Sequence, residues 1–350
     1  MKKDDALHLR WSISSVPKDV YKSIAEKLKV KPTKLMLDIL KTIANPEEAE
    51  LLVALPGTPP GLSEKTGRPV VEVEARCRRL YQKGLVLKSL MGGSLGYRMH
   101  KDITMFRDAT AHWPEAPKVY HDLWKQFMEE EWPHYARLEG EACPLPRGRV
   151  IPIERSIASG QRQQILDAES VSKIIEKAEA LSVTDCICRI IERKCHHPVE
   201  TCLQVNNSAK YMLDRGIGRK VSKAQALDIL KMCEDAGLVH MTFNKSTVDH
   251  FICNCCPCCC VALPLVIKEG LNLCNPSRYR AEIDPELCIA CDVCLERCHF
   301  GAIEKVEMTE DSAGMRVNPE KCMGCGLCHS ACAGEAIRLV EVRETSFIPK

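Results

Sequence analysis

Cys288-Ile289-Ala290-Cys291-Asp292-Val293-Cys294-Leu295-Glu296-Arg297-Cys298 and Cys322-Met323-Gly324-Cys325-Gly326-Leu327-Cys328-His329-Ser330-Ala331-Cys332 are one pattern written twice, C-x2-C-x2-C-x3-C, 34 residues apart. The copies agree outside the cysteines too: Asp284-Pro285-Glu286 answers Asn318-Pro319-Glu320, and Ala302-Ile303 answers Ala336-Ile337. Agreement at a fixed offset points to a duplicated unit rather than two chance collections of thiols.

The spacing over residues 284–340 resembles that of bacterial-type two-cluster ferredoxins. Three thiolates three residues apart on a tight loop cap three irons of one cubane, while the fourth iron points away from that loop. The resemblance implies that the last cysteine of each run crosses to the other cluster. One [4Fe–4S] cluster then takes Cys288, Cys291, Cys294 and Cys332, and the other takes Cys322, Cys325, Cys328 and Cys298. A pair of zinc sites is the competing reading, because zinc also accepts four thiolates.

Two departures from the ferredoxin pattern bear on reduction potential. The proline that usually follows the fourth cysteine is His299 in one copy and Ala333 in the other, and the glycine after the second cysteine is Asp292 in the first copy but Gly326 in the second. Charge and hydrogen bonding near sulfur tune a cluster. Two inequivalent clusters are expected, with Asp292 and His299 marking where the first differs from the second.

A chain of 350 residues has room for two or three domains, and 22 cysteines is far above ordinary usage. A disulfide scaffold belongs to secreted proteins, yet Met1-Lys2-Lys3-Asp4-Asp5 is charged with no apolar run behind it. No stretch approaches the roughly 18 apolar residues of a membrane span. The expectation is a cytoplasmic protein of a reducing, anaerobic cell that uses thiolates as metal ligands.

Working back to the start, residues 1–31 read as a lead-in with a helix around Pro17 to Val30. Leu35 to Ile43 predicts a helix stopped at Asn45-Pro46, Glu47 to Leu55 a second stopped at Pro56-Gly57, and Ser63 to Gly67 a brief third. Val70 to Lys83, with Val73, Cys77 and Leu80 on one face, is a longer amphipathic helix closed by Gly84. Leu85 to Leu87, a turn at Gly92-Gly93-Ser94, and Leu95 to Met99 read as a hairpin. This order over residues 32–105 resembles a winged helix-turn-helix domain, which implies the recognition-helix position for Val70 to Lys83. Residues 1–110 hold 20 Lys and Arg against 13 Asp and Glu, a net of +7 where the whole chain is +2, which favours phosphate contacts. Glu72 and Glu74 interrupt that surface, so docking or dimerisation is favoured over DNA reading.

Residues 106–165 hold Trp113, Trp124 and Trp132, with a helix expected from Tyr120 to Trp132 and a structural Cys143. A helix from Ser170 to Leu181 then leads to Cys186, Cys188, Cys195 and Cys202. A further helix, Lys223 to Ala236, and a strand, Leu238 to Phe243, lead to Cys253, Cys255, Cys256, Cys258, Cys259 and Cys260. Six cysteines within eight residues cannot all face one ion, because neighbouring side chains diverge. The simplest arrangement is one or two additional iron–sulfur clusters shared between the two cysteine groups, with structural zinc or a redox-active dithiol as alternatives. His196 and His197 stand beside Cys195 as ordinary residues. Arg189 is read by default as a surface ion-pair residue, with hydrogen bonding to a cluster as the other possibility. Gly216-Ile217-Gly218-Arg219 lacks the third glycine of a dinucleotide fingerprint, and no P-loop, nucleophile elbow, flavin motif or acid–base pair is seen.

The expected fold class is therefore α+β multidomain. A winged-helix-like domain occupies 1–110, a Trp/Pro-containing connector 111–169, a mixed α/β cysteine-rich metal-binding domain 170–275, and a ferredoxin-like two-cluster domain 280–345. The expected function is single-electron relay to a redox partner or oxidoreductase subunit, without membrane insertion and more as carrier than as stand-alone enzyme. The alternatives are a redox-sensing transcription regulator that binds DNA and an iron–sulfur oxidoreductase acting on a small substrate.

Overall fold

The computed structural model describes residues 19–157, 165–247, 250–309 and 312–350. The part of the lead-in helix that falls on residues 17 and 18 lies outside them. Two compact units divide the chain at Trp124 and Lys125. No helix among the described residues is long and apolar enough to cross a membrane.

The first unit opens with α1 (Val20–Lys27), α2 (Lys34–Ile43), α3 (Pro46–Ala54), α4 (Pro59–Thr66) and α5 (Val70–Gln82). Four of these five starts have a side-chain cap: Asp19, Thr33 and Thr58 accept backbone N–H groups, and Asn45 and Glu48 form a reciprocal capping box. Helix α4, expected only from Ser63 to Gly67, starts earlier, because Thr58 caps it ahead of Pro59. The expected apolar face of α5 is buried through Val73, Cys77 and Leu80. Strands β1 (Val86–Met91) and β2 (Ser94–Met99) pair antiparallel around Gly92-Gly93, followed by α6 (Ile103–Ala111) and α7 (Lys118–Glu130). Phe106, Tyr120 and Trp124 pack as tilted and edge-on rings.

The second unit continues with α8 (Trp132–Ala142), β3 (Gly148–Val150), α9 (Glu154–Ile157), α10 (Val171–Lys177), β4 (Leu181–Asp185) and α11 (Ile187–Glu192). Next come β5 (Glu200–Val205), α12 (Asn207–Asp214), β6 (Arg219–Lys220), α13 (Lys223–Asp235), β7 (Val239–Phe243) and β8 (Phe251–Cys255). The helix expected up to Leu181 ends at Lys177, and the apolar run beginning at Leu181 is a strand. After α14 (Leu263–Glu269) and β9 (Cys274–Asn275), a seven-stranded sheet is complete in the order β6-β4-β5-β8-β7-β3-β9. Its pairs are antiparallel except β3 with β9.

Alternation along the strands gives this sheet two different faces. Leu181, Val183, Leu203, Val205 and Ile252 pack with Ile174 and Ile175 of α10 and Ile229 and Leu230 of α13. The other side buries Val150, Val239 and Met241 in one core with the cysteine-duplicated segment.

That segment comprises β10 (Tyr279–Ile283), α15 (Val293–Arg297), β11 (Ile303–Thr309), β12 (Ser312–Val317), α16 (Leu327–Ala331) and β13 (Ile337–Glu341). Its two small sheets pair β10 with β13 and β11 with β12, so each sheet takes one strand from each copy. The duplication persists in the backbone: Asp284 N–H donates to Ala336 O at 2.8 Å, and Asn318 N–H donates to Ala302 O at 2.7 Å.

A buried ion pair holds the segment to its neighbours. Arg278 Nε donates to Glu169 at 2.9 Å with both side chains fully buried, and its Nη1 reaches Glu341 at 2.8 Å. Removing Glu169 leaves the buried guanidinium with only the partly exposed Glu341 as partner, so Glu169→Ala is expected to lower stability by about 3 kcal/mol in denaturant unfolding followed by circular dichroism.

Candidate metal centres

The strand exchange in the duplicated segment decides which thiols meet. Cys298, Cys322, Cys325 and Cys328 line one cavity, and Cys288, Cys291, Cys294 and Cys332 line another. The rest of each lining is apolar apart from Arg297 in the first, including Phe300, Leu327 and Leu339 there and Ile283, Ile337 and Met315 in the second. Four sulfurs around an otherwise apolar cavity suit a cofactor that soft thiolates bind and water must not reach. Burial pushes the Cys294 thiol up to about 11 and the Cys325 thiol up to about 12.

The two cavities differ in their surroundings. The loop carrying Cys322 and Cys325 is tied down by backbone: Ile153 N–H donates to Cys325 O and Ser277 N–H to Met323 O, both at 3.0 Å. A Cβ on Gly324 would stand 2.1 Å from Tyr279 O, and one on Gly326 would stand 2.2 Å from Ser156 Oγ. Both glycines also have positive φ. At the equivalent places in the first copy, Ala290 and Asp292 adopt the same left-handed backbone, which costs a side chain energy but is sterically possible at a surface. Around that first loop Leu287, Ile289, Val293 and Leu295 are exposed, Ile289 by 72%.

Asp292 and His299 do not act as a pair on the first cavity. Asp292 is matched by Lys305 at 2.9 Å. His299 follows Cys298, which lines the other cavity, and its Nε2–H donates to Gly237 O at 2.6 Å. With Arg297, which donates to Glu234 O and Asp235 O, it clamps the duplicated segment onto the C-terminal end of α13.

In the middle region the cysteines separate into two groups. Alternation places Cys253 and Cys255 of β8 opposite in sense to Ile252, against the core shared with the duplicated segment. Because Leu203 faces Ile252 in register, Cys202 stands across from Cys253, and their sulfurs lie 3.8 Å apart. Sulfur contacts continue from Cys253 to Cys255 and from Cys255 to Cys260, and Cys186 with Cys188 lies against this chain. Each neighbouring sulfur, Cys202 for Cys253, Cys253 for Cys255 and Cys255 for Cys260, pushes the next thiol well above its usual range. Two thiolates 3.8 Å apart would repel by about 4 kcal/mol at an effective dielectric near 20, so such a group ionises only around added positive charge.

Past Cys255 the chain leaves the strand at Cys256-Pro257 and turns. Cys256, Cys258 and Cys259 thereby meet Cys195, which follows α11, and the four sulfurs all lie within 4.8 Å of one another. His196 and His197 are not in this group.

Arg189 departs from its expected surface role. It is buried, donating to Thr201 Oγ1 at 3.1 Å and to Asn254 O at 2.6 Å, and among the described residues no carboxylate lies within ion-pairing distance. Its Nε is buried with no hydrogen-bond partner, while the guanidinium hydrogen-bonds Cys186 and lies within electrostatic reach of the Cys256 and Cys255 thiols. An unpaired donor and an uncompensated cation beside crowded thiols fit an anionic metal–sulfur centre there. Cys274, which carried no role in the sequence reading, is buried beside Cys260. Only the return of β9 to the sheet brings it there. Cys77, Cys143 and Cys233 join none of these groups, and burial raises Cys77 to about 11 and Cys233 to about 12.

Residues 281–339 match the family model of the 4Fe-4S dicluster domain. No curated protein matches the chain. The C-terminal segment is thus an iron–sulfur domain of ferredoxin type.

The contrast between the two loops is testable. Gly324→Ala is expected to lower the thermal midpoint and the iron retained after gel filtration, whereas Ala290→Gly leaves both close to the parent values.

Proposed function

We propose that the protein is an iron–sulfur electron-transfer protein that carries single electrons between a partner oxidoreductase and a metal centre on Cys186, Cys188, Cys202, Cys253, Cys255 and Cys260. The observation that carries this reading is the placement of the three thiol groups. One set of four lies at an apolar surface, a second lies inward against residues 153 and 277, and Cys253, Cys255 and Cys260 of the six-thiol group pack against that same inner core. Such an order makes a path from surface to interior. When bound, [4Fe–4S] clusters in the two cavities supply reversible one-electron transfer.

The chain's own residues then have definite tasks. Cys288, Cys291, Cys294 and Cys332 would hold the outer cluster, and Cys322, Cys325, Cys328 and Cys298 the inner one. Phe300, Leu327 and Leu339 keep water from the inner site. Exposed Leu287, Ile289 and Val293 give a partner protein an apolar landing area beside the outer site. Arg189 offers positive charge to the six-thiol group and through Asn254 fixes the strand that bears Cys253 and Cys255.

The four-part organisation, with boundaries 1–110, 111–169, 170–275 and 280–345, belongs to this proposal, as does a winged-helix fold for the N-terminal part. We assign that part to docking rather than to DNA. Arg76 of α5 is bound by Glu72 and Glu47, Arg68 by Glu50 and Glu72, and Arg79 by Glu48, so most of the positive charge on and just before the candidate recognition helix is already neutralised. The side chains it leaves exposed include Val71, and the hairpin exposes Leu90 and Leu95.

Anaerobic reconstitution with iron and sulfide tests the reading. Iron clearly above the roughly eight per chain that two cubanes hold is expected for the parent protein, falling back to about eight in Cys202→Ser. The same iron count near eight in both proteins would remove the inner terminus of the path.

A further inference from the structure

We infer that Cys195, Cys256, Cys258 and Cys259 form a site for one tetrahedral divalent metal ion, zinc, separate from the iron–sulfur centres. The argument is metric. Cys195 Sγ lies 3.7 Å from Cys259 Sγ and 3.9 Å from Cys256 Sγ, and Cys258 Sγ lies 3.8 Å from Cys259 Sγ. With Zn–S bonds of about 2.3 Å, the edge of a regular tetrahedron of sulfurs is about 3.8 Å. These three separations therefore already match the spacing a single ion demands, and all four sulfurs lie within 4.8 Å of one another.

A cubane would need more room. Its four thiolates sit on four different irons, so an iron–iron edge as well as two iron–sulfur bonds separates each pair. Four sulfurs drawn within 4.8 Å of one another are too close for that arrangement. Four soft thiolates, with no nitrogen or oxygen donor grouped with them among the described residues, match a closed structural zinc site rather than a catalytic one.

The surroundings agree with a structural task. Cys256 and Cys259 belong to the core formed with α10 and α13, and Cys188, Cys195 and Cys258 pack against it. The ion would join the loop after α11 to the turn after β8, segments about 60 residues apart in sequence. Helix α11 and strand β8, which lead into those segments, carry Cys186 at the cap, Cys188, Cys253 and Cys255, so the closed site would stand beside the six-thiol group without supplying it a ligand or taking part in electron transfer. Cys256-Pro257-Cys258-Cys259-Cys260 is then a junction whose thiols serve two metals, divided by the direction in which the turn points them.

Metal analysis of the full chain, purified anaerobically from cells supplied with both iron and zinc, tests the inference. Stoichiometric zinc is expected in the parent protein, with an X-ray absorption fine-structure shell of four sulfurs at about 2.3 Å. Cys258→Ser should lose the zinc while keeping iron and sulfide at the parent level. Zinc at background in the parent, a shell containing nitrogen or oxygen, or loss of iron and sulfide from Cys258→Ser with zinc unchanged would each overturn it. Should Cys258→Ser fail to fold, the absorption measurement on the parent decides alone. An iron deficit confined to Cys202→Ser, with zinc intact, would bear on the six-thiol centre and leave this site standing.

Discussion

Thiolates held a few ångströms apart repel one another, and the second unit of this protein depends on how that repulsion is relieved. A fold that buries many cysteines in a few small volumes gives up water, the cheapest source of screening, and must find positive charge instead. Arg189 supplies one such charge between two thiol groups without a carboxylate to spend it on. On the proposed reading metal ions supply the rest, so the thiol-rich parts of the fold and their metals are expected to form together.

The duplicated segment shows the same constraint met asymmetrically. Its two halves share strand pattern, backbone hydrogen bonds and left-handed turns, yet only the cysteine loop of the second half, at Cys322 to Gly326, is pressed against the rest of the unit. Contact with Ser156 and Tyr279 makes Gly324 and Gly326 necessary there, while the outer loop has room for Ala290 and Asp292. The departure at Asp292, read in sequence as a lever on reduction potential, stands on the loop whose apolar side chains are exposed.

Some of this could be read directly from the chain. Helix stops at Asn45-Pro46, the apolar face of Val73, Cys77 and Leu80, the glycine hairpin and the duplicated cysteine ladder are local signals, and the corresponding elements are present. The division of the middle cysteines was not readable. It depends on Cys202 lying across from Cys253, on strand alternation that turns Cys253 and Cys255 away from Ile252, and on a turn at Pro257 that reverses the direction of the next thiols. Those are facts of pairing between residues 50 and more apart, which spacing within one segment does not encode. Arg189 and His299 were misplaced for a related reason: their partners, Asn254 and Gly237, lie on other strands and helices.

Anomalous scattering from crystals of the reconstituted protein at the iron absorption edge is the most direct test. The account places iron in the two cavities of the duplicated segment, with Cys332 ligating beside Cys288, Cys291 and Cys294, with Cys298 ligating beside Cys322, Cys325 and Cys328, and with further iron at the six-thiol group. Iron bound with Cys298 and Cys332 each kept on its own run, or iron absent from the six-thiol group, would contradict it.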